Sequence, residues 1–135
     1  MIFYALDTNI VSYLLKGDAV IIQKINEEKD KQNKFVIPPI VYFEIQNWLQ
    51  KNKSKNKLEI FQRIYADQGI GIIDKAILDI ATTEKLKLQE KGLSIDNSDL
   101  LIAAYCLKNN LPLVTNNTKH FINIEKLEIV NWKEL

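Results

Sequence analysis

Short apolar runs alternate with longer segments of helical periodicity along the chain, and this alternation restricts the fold more than any other feature. The runs at residues 2–6, 35–37, 71–73, 112–114 and 128–130 have the length and composition of buried strands. Strands that alternate with helices of about 10 residues or more favour βαβ units and a parallel sheet. We therefore predict an α/β fold, a three-layer α/β/α sandwich around a mainly parallel sheet of four to five strands.

The helices between these strands are marked by residues that start or stop a helix. Helical spacing of apolar residues begins at Thr8, Gly17 is the predicted stop, and Asp18 can cap a second helix. Further helices are predicted over residues 40–51, 58–65, 75–91 and 99–107. Because the pattern contains no repeat and no linker, we expect a single domain that spans residues 1–135.

The composition is typical of a globular protein. Of the 135 residues, 47% are hydrophobic and 26% are charged, and the longest apolar runs are too short to cross a bilayer. The first residues lack the basic and apolar regions of a signal peptide. The one cysteine, Cys106, lies in an apolar stretch, which favours an inert core residue. We expect a cytoplasmic protein without a membrane segment.

Basic residues are concentrated in one segment, although the formal net charge is only +1. Lysines occupy every second position of the segment KNKSKNK, among them Lys51, Lys53 and Lys55. Two interpretations remain open here: a solvated loop, or a strip that attracts RNA phosphates through counterion release. The low net charge does not exclude an RNA substrate, because only the surface beside an active site must attract it.

Three acidic residues stand where predicted elements begin or end. Asp7 directly follows the first strand, Glu44 lies in the helix after the second strand, and Asp99 begins an apolar helix. Asp96 precedes Asp99 closely and can share its position. In a doubly wound sheet the crevice lies at the carboxyl ends of the strands, so all of these side chains can face it.

A cluster of carboxylates is unfavourable unless something neutralises it. Two carboxylates about 5 Å apart repel by roughly 3 kcal/mol at an effective dielectric of about 20. Oxygen ligands suit Mg²⁺ or Mn²⁺, which lowers the pKa of a bound water and neutralises charge on a phosphodiester. Each acid also has a simpler explanation: Asp7 as a helix cap, Asp99 as a charge favoured at a helix N-terminus, and Glu44 as a surface residue.

Three segments of the chain carry a resemblance to a known family. In order, they are LDTNIVSYLLKGD, IPPIVYFEIQNWL and SDLLIAAYCLKNNLPLVTNNTKHF. They resemble the motifs of PIN-domain proteins, in particular the VapC-type toxins of type II toxin–antitoxin systems. Because LEIVNW resembles the family's usual ending, the resemblance runs from residue 2 to residue 132 and implies a PIN-like fold.

The resemblance implies a set of site residues. Asp7, Glu44 and Asp99 match the catalytic, metal-binding acids of the family. The fourth acidic position falls on Asn117, whose amide supplies no charge, so one of the charges that would hold a second metal ion is missing. Thr115 matches a polar residue that can hydrogen-bond an acid or a water. The other accessory positions are Thr8, Asn9, which can brace the cluster or merely shape the turn, and Asp96, as a ligand or a loop cap.

The resemblance also implies an activity and partners. PIN-domain nucleases cleave RNA with Mg²⁺ or Mn²⁺ and an activated water, leaving 5′-phosphate and 3′-hydroxyl ends. Most VapC-like proteins with known targets cut tRNA or ribosomal RNA within a loop. They typically form homodimers and are inhibited by a VapB-like antitoxin, whose C-terminal segment lies along the crevice and often presents an arginine to the acids.

Other residues and other functions remain open at this stage. Lys119 and His120 can contact a phosphate or belong to a surface loop, and Trp48 can stack on a base or pack in the core. One alternative function is a PIN nuclease of RNA maturation that has no antitoxin. Another is a non-catalytic PIN module that binds RNA or protein, which Asn117 favours. A phosphatase with an aspartyl nucleophile is disfavoured, because it requires a second acid where Asn9 stands.

Overall fold

A computed structural model describes residues 1–66 and 71–133 of the chain. Its sheet has the strand order β2-β1-β3-β4, and every neighbouring pair is parallel. The predicted parallel α/β architecture is therefore confirmed. The strands are β1 (Phe3–Leu6), β2 (Lys34–Val36), β3 (Leu113–Val114) and β4 (Ile129–Val130). The helices are α1 (Thr8–Leu15), α2 (Ala19–Asp30), α3 (Pro39–Lys51), α4 (Lys55–Ala66), α5 (Lys75–Glu90), α6 (Asn97–Asn109) and α7 (Thr118–Phe121).

Helices cover both faces of the sheet. Successive side chains of a strand point to opposite faces, and in β1 both Ala5 and Leu6 are almost fully buried. The same is true of Leu113 and Val114 in β3. The two central strands are therefore enclosed on both sides, as the predicted three-layer sandwich requires.

The signals that begin and end the first helices act as predicted. Gly17 has a φ of +80°, a backbone conformation that favours glycine, and it separates α1 from α2. Asp18 caps α2, because its Oδ1 accepts hydrogen bonds from the backbone N–H groups of Val20 and Ile21 at 3.0 and 3.1 Å. Gly17 and Asp18 thus form one short connection between α1 and α2, and Asp7 alone joins β1 to α1.

The predicted strand at residues 71–73 is wrong. This segment is irregular and lies outside the sheet, so the sheet has four strands and not five. Gly71 lies against α6, where an added Cβ would stand 2.6 Å from the Tyr105 hydroxyl oxygen. Ile72 is 69% exposed, whereas Ile73 packs against the buried residues between α5 and α6. The apolar character of this segment therefore reflects packing on a helix rather than strand pairing.

Two further features differ from the prediction or extend it. Helix α6 begins at Asn97, slightly earlier than expected, and α7 was not predicted.

Cys106 is buried, and burial raises the pKa of its thiol, which therefore stays protonated and inert. None of the helices described is long and apolar enough to span a bilayer.

Candidate active site

Asp7 and Thr115 are brought together by the pairing of β1 with β3. In this parallel pair, Leu6 lies opposite Val114, so the next residues along each strand are Asp7 and Thr115. The backbone N–H of Asp7 donates to the carbonyl oxygen of Val114 at 3.0 Å. Asp7 is 4% exposed and Thr115 is fully buried. A carboxylate and a hydroxyl thus meet at the carboxyl ends of the two central strands.

The Asp7 carboxylate accepts three hydrogen bonds. The backbone N–H of Thr8 donates to Oδ1 at 2.8 Å. The Thr115 hydroxyl donates to Oδ2 at 2.7 Å, and the Asn9 amide donates to the same oxygen at 3.2 Å. Asp7 is the N-cap of α1, so the helix-cap role that the sequence indicated is present. Its second oxygen, however, is bound by the side chains of Thr115 and Asn9. Its orientation is therefore fixed from both sides.

Asn9 braces the cluster from the first turn of α1. Its Oδ1 accepts a hydrogen bond from the backbone N–H of Asn116 at 3.0 Å, which ties α1 to the segment after β3. Asn116 in turn donates through its side-chain amide to the Tyr13 hydroxyl at 3.2 Å. Asn116 carries no signal in the sequence, because its role depends on this long-range contact and not on any local pattern.

Glu44 is held toward Asp7 by Thr8. The Thr8 hydroxyl donates to Glu44 Oε1 at 2.9 Å, and this bond connects the first turn of α1 to the middle of α3. Glu44 is half-buried. The accessory residue Thr8 therefore contributes its backbone N–H to one acid and its hydroxyl to the next.

Asp99 lies in the first turn of α6 and contacts His120 of α7. Its Oδ2 is 2.9 Å from His120 Nδ1, and the side chains are 19% and 50% exposed. The prediction for His120 was a phosphate contact or a plain surface residue, whereas the structure shows a direct partner of an acid. Asp96 is the exposed N-cap residue of α6 and makes no side-chain capping bond.

A cleft of about 450 Å³ brings these side chains together. Its lining includes all three acids and most of the predicted accessory residues, while Thr115 lies buried beneath it. A larger cavity of about 720 Å³ is more apolar and contains none of the predicted site residues, so its chemistry does not match the predicted activity. The residues that line the acidic cleft are Asp7, Thr8, Asn9, Ser12, Lys16, Glu44, Ile45, Trp48, Asp96, Asp99, Asn117 and His120.

The predicted basic residues are not part of this cleft, apart from His120. Lys119 lines a neighbouring hollow of about 290 Å³ together with Asp96, Asp99 and His120. Lys53 and Lys55 line a separate hollow of about 370 Å³, formed where the chain turns from α3 into α4. Lys51 is exposed at the end of α3. The lysine-rich segment is therefore two helix ends with a short turn between them, not one long loop.

Lys16 and Ser12 are cleft residues that the sequence analysis missed. Ser12 lies on α1 four residues after Thr8, and Lys16 caps the end of this helix four residues later with a helical backbone, so all three lie on one face. Both could have been predicted, because Thr8 directly follows the acid Asp7 and helical spacing from Thr8 leads to Ser12 and Lys16. Lys16 Nζ lies 5.3 Å from the centroid of the Trp48 ring.

Burial and neighbouring negative charges destabilise the charged forms of Asp7 and Glu44. Burial raises the pKa of Asp7, and the charge of Asp99 adds to this, against the lowering effect of the bonds from Thr115, Thr8 and Asn9. Burial also raises the pKa of Glu44, as do the charges of Asp7 and Asp99, against the bond from Thr8. Such a cluster of carboxylates favours the binding of a positive charge.

The donor set matches a hard divalent cation, but the side chains are not arranged around one. Carboxylate and amide oxygens from Asp7, Glu44, Asp99 and Asn117 are of the kind that Mg²⁺ and Mn²⁺ prefer. Within residues 1–66 and 71–133, no three His, Cys, Asp or Glu side chains form a group that could hold a metal ion as they are oriented. The contact between Asp99 and His120 shows where one of the three acids is held instead.

Comparison with known proteins gives the chain relatives over nearly its full length. Residues 4–127 match the family model described as PIN domain. Ribonuclease VapC2 of Rickettsia felis is 36% identical to the chain, and the alignment covers 96% of the chain and 97% of the relative. A ribonuclease VapC1 of Haemophilus influenzae is 31% identical, again with 96% of the chain and 97% of the relative covered.

Two solved VapBC structures contain chains with the same fold. VapBC2 from Rickettsia felis, bound to a DNA fragment from their promoter, contains a chain with a TM-score of 0.85 and 32% identity. That match covers 97% of this chain and 99% of the other. VapBC-1 from nontypeable Haemophilus influenzae gives a TM-score of 0.79 at 27% identity, and covers 98% of this chain and 100% of the other.

Proposed function

Because the chain belongs to the PIN-domain family, we propose that it is a metal-dependent endoribonuclease of the VapC type. The observation that carries this proposal is the meeting of Asp7, Glu44 and Asp99 in one cleft, although they come from three separate elements. The ribonuclease names of the relatives support the reaction class. The pKa values of Asp7 and Glu44, raised by burial and by the neighbouring acids, support a role for a cation.

In the proposed site, Asp7, Glu44 and Asp99 would hold Mg²⁺ or Mn²⁺, and Asn117 would add a neutral oxygen. When bound, the cation supplies Lewis-acid chemistry, since it lowers the pKa of a water and offsets negative charge that develops on the phosphate. The chain's own residues provide the positioning. Thr115 and Asn9 orient Asp7, and Thr8 orients Glu44, so that two carboxylates are already fixed before RNA arrives.

We further propose a structured RNA as substrate and a protein inhibitor as partner. A loop of tRNA or ribosomal RNA is the substrate that the resemblance implies, with 5′-phosphate and 3′-hydroxyl ends as products. The VapBC complexes among the structural relatives support a VapB-like antitoxin as the partner. A homodimer and a cytoplasmic location stay predictions.

A non-catalytic PIN module is the second candidate, and two observations favour it. Asn117 stands at the fourth acidic position, and Asp99 contacts His120, while no metal-holding group of three such side chains forms in the described part of the chain. In such a module the cleft would bind RNA or protein without cutting. This candidate and the nuclease make opposite predictions for RNA cleavage.

Sequencing of RNA 5′ ends after brief expression tests the proposed function. We expect discrete new 5′ ends at one or a few structured RNAs in cells that express the wild-type chain, and none in cells that express Asp7→Asn. Growth arrest that a co-expressed antitoxin from the neighbouring gene relieves would identify the toxin role. Absence of new ends at an expression level that is verified by immunoblot would support the non-catalytic candidate.

A further inference from the structure

One wall of the acidic cleft consists of an aromatic ring and a lysine that the proposed cleavage chemistry does not use. Trp48 follows Glu44 by one helical turn on α3, and Lys16 is the C-cap residue of α1, eight positions after Thr8. Both side chains line the same cleft as the three acids. An aromatic ring and an ammonium group beside the proposed catalytic acids form a combination that can bind a nucleotide.

Two contacts at different levels join the helices α1 and α3. The first is the hydrogen bond from Thr8 to Glu44, at 2.9 Å. The second lies farther along both helices, where Lys16 Nζ stands 5.3 Å from the centroid of the Trp48 ring. Glu44 and Trp48 are about 6 Å apart along the axis of α3, because an α-helix rises about 1.5 Å per residue. This offset is similar to the distance between successive nucleotides of a single-stranded RNA.

The Trp48 ring is held in place by the core. Trp48 is half-buried and packs against the main cluster of buried residues, while the same side chain also lines the cleft. Part of the ring is therefore fixed by apolar contacts, and part of it faces the space where RNA would lie. A ring that is already fixed loses little conformational entropy when a base stacks on it.

Lys16 is free to exchange its present contact for a phosphate. It is exposed, and among the described carboxylates none forms an ion pair with it. A lysine over an exposed indole gains only about 0.5–1 kcal/mol from the cation–π contact. A phosphate near the same position offers a charge-assisted bond, so displacement of Lys16 from the ring costs little.

We propose that Trp48 and Lys16 form a nucleotide-binding subsite beside the catalytic acids. Trp48 stacks on one base of a single-stranded RNA segment, and Lys16 moves from the ring to bind the adjacent phosphate. Because stacking on an aromatic face tolerates every base, the subsite positions the strand and does not select its sequence. The inference rests on the proposed function, since it adds a substrate contact to the same cleft.

Equilibrium binding of RNA tests this subsite. The probe is a fluorescein-labelled, mixed-sequence, single-stranded RNA of about 10 nucleotides, a length within the range that such grooves bind. Binding is measured by fluorescence anisotropy on the Asp7→Asn background, so that the RNA stays intact. We expect Trp48→Leu to weaken binding about 10-fold and Trp48→Phe to weaken it less than about 3-fold, because base–aromatic stacking contributes roughly 1–3 kcal/mol per base.

Two further measurements distinguish a nucleotide contact from a structural role of Trp48. An RNA of the same length without bases should bind the Asp7→Asn protein at least as weakly as the intact RNA binds Trp48→Leu, and Trp48→Leu should not weaken the binding of this abasic RNA further. Lys16→Gln should reduce the slope of log affinity against log salt by about 1, as expected for one lost phosphate contact. Thermal melting of each variant checks that it is folded.

Phe43→Leu is the matched control, because it removes an aromatic side chain that is 65% exposed on the same helix and does not line the cleft. Its affinity for the probe should equal that of the Asp7→Asn parent. The subsite is overturned if folded Trp48→Leu binds as tightly as its parent, or if Phe43→Leu weakens binding equally. If the wild-type chain cuts no RNA but binds it in a way that depends on Trp48, the subsite is retained and the nuclease function is rejected. Failure of the subsite and failure of the proposed function are therefore distinguishable.

Discussion

Asp7→Asn is expected to lower the rate of RNA cleavage by more than about 100-fold, since even residues that only orient a metal ligand typically contribute about 10- to 100-fold. Asp7 is the most buried of the three acids and stands at the end of the central strand β1. The substitution removes one negative charge from the cleft while it keeps the shape of the side chain. The measurement is the single-turnover cleavage rate of an RNA identified by end sequencing, in saturating Mn²⁺.

The matched control is Asp79→Asn on α5. Asp79 is 63% exposed and, within residues 1–66 and 71–133, pairs only with Lys75, so the same chemical change there should leave the cleavage rate unaltered. Both variants should keep the circular dichroism spectrum of the wild type. Cleavage at the wild-type rate by Asp7→Asn would remove Asp7 from the catalytic site and with it the proposed mechanism.

Thr115→Val is expected to lower both the cleavage rate and the stability, although Thr115 touches no solvent. Its hydroxyl donates to Asp7 Oδ2 at 2.7 Å and accepts from the backbone N–H of Asn117 at 3.0 Å. Valine fills the same space but leaves the buried carboxylate without this donor. We expect the cleavage rate to fall about 10- to 100-fold. The free energy of unfolding should fall by about 2 kcal/mol, because hydrogen bonds to charged groups contribute roughly 1.5–3 kcal/mol.

Thr115→Ser separates the hydroxyl from the rest of the side chain. It keeps the donor and loses only a methyl group, so most of the cleavage rate should return. Thr83→Val on the exposed side of α5 is the control for the chemical change itself, and it should affect neither quantity. Equal rates for Thr115→Val and wild type would show that Asp7 does not depend on this bond for its orientation.

The sequence predicts those parts of the fold and site that depend on local patterns. Asp7 lies directly after a short apolar strand, and the carboxyl ends of parallel strands share one edge of a sheet, so its position was predictable. The cap at Asp18 was also predictable from a local pattern, because a capping residue acts on N–H groups only two or three positions away.

Features that depend on tertiary contacts were not predictable. The segment from Gly71 to Ile73 has a strand-like composition, but its backbone lies against Tyr105 of α6 instead of pairing in the sheet. The contact between Asp99 and His120 joins two helices, and α7 is only four residues long. Helices this short give too little periodicity to detect.

The basic residues show a second limit of the sequence. A run of alternating lysines such as Lys53 and Lys55 indicates local positive charge but not which surface bears it, and here it lies at a helix–helix turn. Lys16 has no basic neighbour in the sequence and yet lines the cleft, because helical periodicity carries it there from Thr8. Position relative to an acid was more informative than local charge density.

Anomalous diffraction from a crystal grown with Mn²⁺ tests most directly whether a divalent cation unites these acids. The predicted result is an anomalous peak in the cleft about 2.1 Å from carboxylate oxygens of Asp7 and Asp99, with Glu44 bound directly or through a water. Asp99 would then have left His120. A map with no peak in this cleft at saturating Mn²⁺, or with the ion at other side chains, would contradict the account.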